Sequence, residues 1–232
     1  MTLETLVIVP ARDEEERLPE TLDRLRDIPG LDRLLVIDDG SRDATALLAK
    51  KAGAEVLRSN SSGTSSGKGR ALLTGLRHAR EYNPDAVLLA DADLGESAAR
   101  LSNLLQSLSE GSPVAIASFP RSAATGGGFG LVKSFARREI STRNSLGYVP
   151  AEPLSGQRAL LVSALESLPG IAPGFGAEVG MTLDLLSAGI TPQDVPIPLA
   201  HRPTGRSISG FAHRTRQGLD ILKAIRGERL PW

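Results

Sequence analysis

The chain has 232 residues, with 27 Lys plus Arg against 27 Asp plus Glu, so its formal charge is zero. A chain of this length can bury roughly 70–75% of its unfolded surface without the help of a disulfide or a structural metal. It has no cysteine, which excludes thiolate zinc sites and a thiol nucleophile, and the balanced charge argues against a dedicated nucleic-acid binder.

The zero total conceals a gradient. Residues 1–50 carry 12 acidic and 7 basic side chains, a net of −5, whereas residues 199–232 carry 7 basic and 2 acidic, a net of +5. Arginine dominates the basic set, and it suits a bidentate grip on phosphate, although a coding bias explains the excess equally well. No apolar run approaches the ~18 residues that span a bilayer. The N-terminus lacks the basic and apolar regions of a signal peptide. A soluble, cytoplasmic protein is expected.

In chain order, Leu6 to Val9 is a short apolar run that suits a buried parallel strand. Leu18, Leu22, Leu25 and Ile28 recur at helical spacing, with Pro19 in the first turn, where a missing N–H costs nothing. Leu34 to Ile37 is the second strand, and a helix follows Ser41 and Asp43, both suitable N-caps, to stop at Gly53. Ser59 to Gly69 is rich in Ser and Gly and is expected to be mobile.

A helix through Leu72, Leu76 and Ala79 ends before Pro84. Ala86 to Ala90 is the next strand, Leu101 to Leu108 the next helix, and Val114 to Ser118 a further strand. The alternation βαβαβαβ indicates a doubly wound, mostly parallel sheet. Beyond the glycines at 126–130, helices are expected over Leu131 to Arg143, Val179 to Ala188 and Phe211 to Ile225, with an extended run from Val195 to Ala200. No linker divides the chain. It reads as a single domain, 1–232, with a nucleotide-binding half to residue 120 and an acceptor half after it.

In open α/β sheets ligands bind at the carboxyl edges of the strands. Here those edges are acidic: Asp13 and Glu14 after the first strand, Asp38 and Asp39 after the second, Asp91 and Asp93 after the later one. Each alone is explained by helix capping, and for Ser41 and Asp43 that explanation is preferred. Convergence of three acidic ends on one crevice is harder to dismiss. In extended chain Asp91 and Asp93 would face the same side, and hard divalent ions such as Mg²⁺ take carboxylate oxygens together with substrate phosphates.

Several look-alikes fail. Around Gly67-Lys68 the P-loop positions are Ser62 and Gly69, and no dinucleotide fingerprint occurs. His78 and His213 read as surface residues, and His201, taken alone, reads as the solvent end of an extended run.

Val7-Ile8-Val9-Pro10-Ala11-Arg12-Asp13-Glu14-Glu15, Val36-Ile37-Asp38-Asp39-Gly40-Ser41-Arg42-Asp43 and Asp91-Ala92-Asp93 resemble, in order and spacing, the family 2 glycosyltransferases of the GT-A fold. Gly67-Lys68-Gly69, Leu154-Ser155-Gly156, Gly174-Phe175-Gly176-Ala177-Glu178 and His201-Arg202 resemble, more loosely, the glucosyl-3-phosphoglycerate synthases. The first half is also similar to polyprenyl-phosphate sugar transferases.

The resemblance implies a Rossmann-like, mostly parallel sheet with helices on both faces. Pro10, Ala11 and Glu14 would line the nucleotide pocket and Asp39 would accept a hydrogen bond from uracil. Lys68 would lie near base and diphosphate, with Asp91 near the ribose. Asp93 and His201 would hold Mg²⁺ or Mn²⁺, and Glu178 would lie against the donor sugar or acceptor hydroxyl. Gly156, Arg202 and Arg206 would face acceptor or phosphate.

The expected activity is metal-dependent transfer from an NDP-sugar, UDP-linked, to a hydroxyl or phosphate-bearing acceptor. Retention is expected on the family analogy alone. The alternatives are a polyprenyl-phosphate-directed transferase and a catalytically silent nucleotide-binding module. A nucleotidyltransferase would need a Gly-rich loop where Ala11-Arg12-Asp13-Glu14 stands. Lys133, Arg137 and Arg138 allow peripheral contact with a lipid-phosphate acceptor at a membrane, but an ordinary packed amphipathic helix is favoured. A homodimer is left open.

Overall fold

The computed structural model describes residues 3–60, 66–119, 129–199 and 218–232. Seven strands form one sheet in the order β3-β2-β1-β4-β6-β5-β7: β1 (Thr5–Ala11), β2 (Leu31–Asp38), β3 (Glu55–Arg58), β4 (Ala86–Leu89), β5 (Val114–Ser118), β6 (Arg158–Leu161) and β7 (Gln193–Pro196). All pairings are parallel except those of β6, which runs against both β4 and β5. The sheet therefore contains strands from both sides of residue 120.

β1 shows why the sheet holds. Its side chains alternate between faces. Val7, Val9 and Ala11 join Leu18, Leu22 and Leu25 of α1 (Leu18–Arg26) and Leu104 of α4 (Ser102–Ser109) in one core. Leu6 and Ile8 join Leu72 and Leu76 of α3 (Lys68–Tyr82) and Met181 and Leu185 of α7 (Ala177–Ser187) in the other. α2 (Thr45–Lys51) adds Ala49 to the first core, and α6 (Val162–Glu166) adds Ala164 and Leu165 to the second. The helices thus cover both faces, as the alternation of strands and helices implied.

A third, smaller cluster joins Ala136 and Ile140 of α5 (Phe129–Thr142) to Val179, Leu186 and Ile221, the last on α8, residues 218–225. The helix carrying Lys133 and Arg137 is therefore a packed amphipathic helix, but it packs on α7 and α8 and not on the sheet. Lys133 is paired with Glu152, and Arg137 donates to the Ala151 carbonyl. Among the described residues no helix is long and apolar enough to cross a membrane.

Two strands, β3 and β6, were not expected, and β7 begins two residues before the extended run that stood for it and shares Val195 and Pro196 with it. Ser41 and Asp43 also differ from simple caps. Ala44 occupies the cap position without a side-chain bond, Ser41 Oγ accepts from the Asp13 N–H at 3.1 Å, and Asp43 Oδ1 accepts from the Thr45 N–H at 2.9 Å. Expectations for the glycines at 126–128 and for the start of the last helix fall outside the described residues, as do residues 61–65 of the Ser/Gly stretch.

Candidate active site

The sheet order places the site. Going along the chain, strands add on one side of β1 until β3, and β4 then starts on the other side. The crevice beyond the carboxyl ends of β1 and β4 is therefore the switch point at which open α/β sheets bind ligands. The strand ends are in step there. Ala11 pairs with Asp38, the Asp39 N–H donates to the Ala11 carbonyl at 2.9 Å, and the Ala90 N–H donates to Ile8 at 3.1 Å.

Asp38 and Asp39 are both buried, and each builds backbone. Asp38 Oδ1 accepts from the Ser41 N–H at 2.9 Å, closing the turn after β2. Asp39 organises the approach to α3: Oδ1 accepts from Ser59 Oγ at 2.5 Å, the Ser66 N–H at 2.9 Å and Ser66 Oγ at 2.8 Å, while Oδ2 accepts from the Gly67 N–H at 3.0 Å. An ionised carboxylate has about four acceptor positions. A base contact at Asp39 therefore requires one of these bonds to open or to be shared.

That scaffold delivers Lys68 to the first turn of α3. Its ammonium lies 2.9 Å from Asp91 Oδ1 and 2.8 Å from Glu178 Oε1. Burial opposes the charge, but the Asp91 and Glu178 carboxylates outweigh it and raise the Lys68 pKa above its ordinary value. Glu178 stands in the first turn of α7 and is 5% exposed. Asp91 is held on its other oxygen by Gln157 Nε2 at 2.5 Å.

Gln157 reaches this edge because β6 is antiparallel, so its start lies beside the end of β4, with Arg158 opposite Leu89. Gly156 just before it is a close-approach position. A Cβ there would sit 2.7 Å from Lys68 Nζ and 2.9 Å from Asp91 Oδ1. The turn Gly174–Gly176 that leads to Glu178 is pinned from α8, where Asp220 Oδ2 accepts from the Phe175 N–H at 3.1 Å.

Asp91 and Asp93 do not share one face, contrary to expectation. β4 ends at Leu89 and residues 92–93 form a turn, so the alternation of extended chain does not apply. Asp91 turns to Lys68 and Gln157. Asp93 lines a separate open groove of about 470 Å³ with Arg17, Glu20, Leu94, Ser97 and Arg100. Buried Thr21 of α1 fixes this turn: its Oγ1 donates to the Ala92 carbonyl at 2.9 Å and accepts from the Gly95 N–H at 2.9 Å.

Among the described residues no hydrogen bond or ion pair engages the Asp93 carboxylate, a hard oxygen donor of the kind a divalent cation takes. No group of three such side chains is found among the described residues. His201, Arg202 and Arg206 lie outside them. Pro10, Ala11 and Glu14 stand at the β1 end, where the Glu14 N–H donates to Thr45 Oγ1 at 2.8 Å.

The structure thus brings together Asp39, Lys68, Asp91, Gly156 and Glu178. It adds Gln157, Thr21 and Asp220, which no motif announced. The matched family bears the description Glycosyl transferase family 2, and the match covers residues 6–168, the span from β1 to just past β6. The chain belongs to glycosyl transferase family 2.

Within family 2, the chain is 30% identical over 219 residues to an undecaprenyl-phosphate mannosyltransferase of Micrococcus luteus, covering 88% of this chain and 87% of that protein. It is 29% identical over 210 residues to a glucosyl-3-phosphoglycerate synthase of Mycolicibacterium paratuberculosis. That match covers 77% of this chain but only 58% of the synthase. A crystal structure of the Mycobacterium tuberculosis glucosyl-3-phosphoglycerate synthase, in complex with Mn²⁺, UDP-glucose and phosphoglyceric acid, superposes with a TM-score of 0.72. It is 28% identical, over 96% of this chain and 80% of that one. The fold is therefore that of these glycosyltransferases.

Proposed function

We propose that this family 2 chain transfers a glycosyl group from a UDP-sugar to a phosphate-bearing acceptor, with a divalent metal as cofactor. The observation that carries the reading is the Lys68 ammonium gripped between Asp91 and Glu178 at the switch-point crevice, beside a glycine that leaves no room for a side chain.

The reaction breaks the bond between a sugar carbon and a diphosphate oxygen and forms one to an acceptor oxygen, whose proton is released. Negative charge accumulates on the departing diphosphate, and preorganised cations there supply most of the rate. Lys68 is placed to meet it, at the N-terminal turn of α3, where the helix dipole also favours an anion. A divalent ion held by Asp93, and by His201 on the resemblance, would neutralise the same charge. Pro10, Ala11, Glu14 and Asp39 line the route for the nucleoside, and Gly156 lets its loop approach Lys68 and Asp91 with no side chain between them. Arg202 and Arg206 would add charge for the acceptor phosphate.

Glu178 supports retention. Its carboxylate is buried and already paired with a cation, which suits holding a sugar hydroxyl better than taking a proton from an attacking one. An inverted anomer in the NMR spectrum of the product would sink that part.

The acceptor reading favours a small phosphorylated hydroxy acid, as in the synthase complex. A polyprenyl phosphate is the second reading, and it has its own support: the lipid-directed relative is matched over 87% of its length, the synthase over 58%. The test is a thermal-shift panel of nucleotides and NDP-sugars with and without Mn²⁺ or Mg²⁺, in which a ligand binding the native state raises stability with occupancy. UDP release on adding 3-phosphoglycerate or a short-chain polyprenyl phosphate follows. A metal-dependent shift with UDP-sugars and release with one acceptor is expected. Binding without turnover on any pair would favour the silent module.

A further inference from the structure

Arg158 opens β6 in the middle of the sheet, between Leu89 of β4 and Ile116 of β5, and is 0% exposed. Its Nε donates to the Ser155 carbonyl at 2.9 Å, and its Nη1 donates to Thr182 Oγ1 at 2.9 Å. Its Nη2 is buried with no hydrogen-bond partner. Thr182 Oγ1 in turn donates to the Glu178 carbonyl at 2.9 Å. One side chain thus ties the loop that carries Gly156 to the helix turn that carries Glu178.

A buried guanidinium with an unused nitrogen is an expensive way to fill a core. Replacing a whole buried ion pair with apolar side chains of similar volume is often neutral or stabilising, so a buried charge is weak evidence of a role in stability. Burial lowers the Arg158 pKa, and the nearby Glu178, Tyr148 and Asp194 oppose that shift. Of these acids, Asp194 is engaged by the Tyr148 hydroxyl at 3.1 Å and the Ala151 N–H at 2.9 Å. Glu178 has Lys68, and Lys68 is the cation a diphosphate would draw away.

We propose that Arg158 is a positioning residue for glycosyl transfer: it is the fixed counter-charge of Glu178 once Lys68 turns to the diphosphate, and it holds the Glu178 turn and the Gly156 loop in register. The inference rests on the functional reading above.

Arg158→Gln keeps an amide that can donate to Ser155 but carries no charge, and Arg158→Lys keeps the charge without the fork. In the full chain, kcat and donor KM are measured together with UDP affinity by calorimetry and with Tm. Arg158→Gln should lose about 100-fold in kcat while donor KM and UDP affinity stay within about threefold. Its Tm should fall, because Thr182 Oγ1 loses its donor, and Arg158→Lys should recover at least ~10-fold of the kcat loss. If the Gln variant does not fold, Arg158→Met carries the same kcat expectation. Wild-type kcat in either neutral variant overturns the proposal, as does a parallel fall of kcat and UDP binding in all three variants. If wild type binds UDP yet transfers from no UDP-sugar, the functional reading fails and takes this inference with it.

Discussion

Lys68→Met removes the ammonium that bridges Asp91 and Glu178. The N···O distances are 2.9 and 2.8 Å, and the side chains of Lys68, Asp91 and Glu178 are 25%, 29% and 6% exposed. At an effective dielectric of ~20, each contact at these distances is worth about 6 kcal/mol before desolvation. Exposed pairs net about 0–1 kcal/mol, and breaking a fully buried pair costs about 3–5 kcal/mol. This half-buried bridge lies between them, so we expect Lys68→Met to lose about 2–3 kcal/mol, or a Tm drop of about 5–10 °C.

The pH dependence has a definite sign. The folded pKa is raised above the ordinary 10.5, so the stabilisation is complete below that value and fades as pH rises past it. Urea melts of wild type and Lys68→Met should therefore run parallel from pH 7 to 10 and converge above. A double-mutant cycle with Glu178→Gln should give a coupling of at least ~1 kcal/mol. Coupling below ~0.5 kcal/mol, or melts that already converge by pH 9, would refute the bridge as a stabilising element.

Asp93→Asn breaks no hydrogen bond or ion pair among the described residues, so its metal-free Tm should stay within ~1 °C of wild type. The additional thermal shift that Mn²⁺ gives in the presence of UDP should vanish in that variant. Gly156→Ala pushes a methyl group against Lys68 and Asp91, and kcat/KM should fall at least ~10-fold with little change in urea midpoint. Thr21→Val leaves the Ala92 carbonyl and the Gly95 N–H without their shared hydroxyl. It should weaken Mn²⁺ affinity about 10-fold by electron paramagnetic resonance, with recovery in Thr21→Ser.

The parallel half of the fold was legible because its strands are buried on both faces and read as apolar runs, Leu6 to Val9 and Val87 to Ala90 among them. β3 was not. It is an edge strand whose ends, Glu55 and Arg58, are exposed, so it carries no apolar signature. β6 hid behind Arg158, a charge at a position of complete burial, and nothing local tells a four-residue strand to run backwards. β7, also at an edge, begins at an exposed Gln193.

The same contrast governs the site. Asp39, Asp91, Asp93 and Lys68 follow strands or a Ser/Gly run in recognisable order. Gln157, Thr21 and Asp220 are ordinary polar residues whose contacts span 66, 71 and 45 positions of chain. The different facings of Asp91 and Asp93 depend on a turn that a three-residue pattern does not encode.

Because β6 enters the sheet against its neighbours, the crevice receives the chain that precedes it, whereas β1, β2 and β4 offer the chain that follows them. The connection from β5 to β6 starts and finishes in strands, at Ser118 and Arg158. Closing a longer loop costs only about 0.6 kcal/mol per doubling of its length. This stretch can therefore lengthen, shorten or change its chemistry without disturbing the register of β1 against β4. The crevice at the ends of β1 and β4 is thus set by a part of the fold that does not depend on what that connection carries.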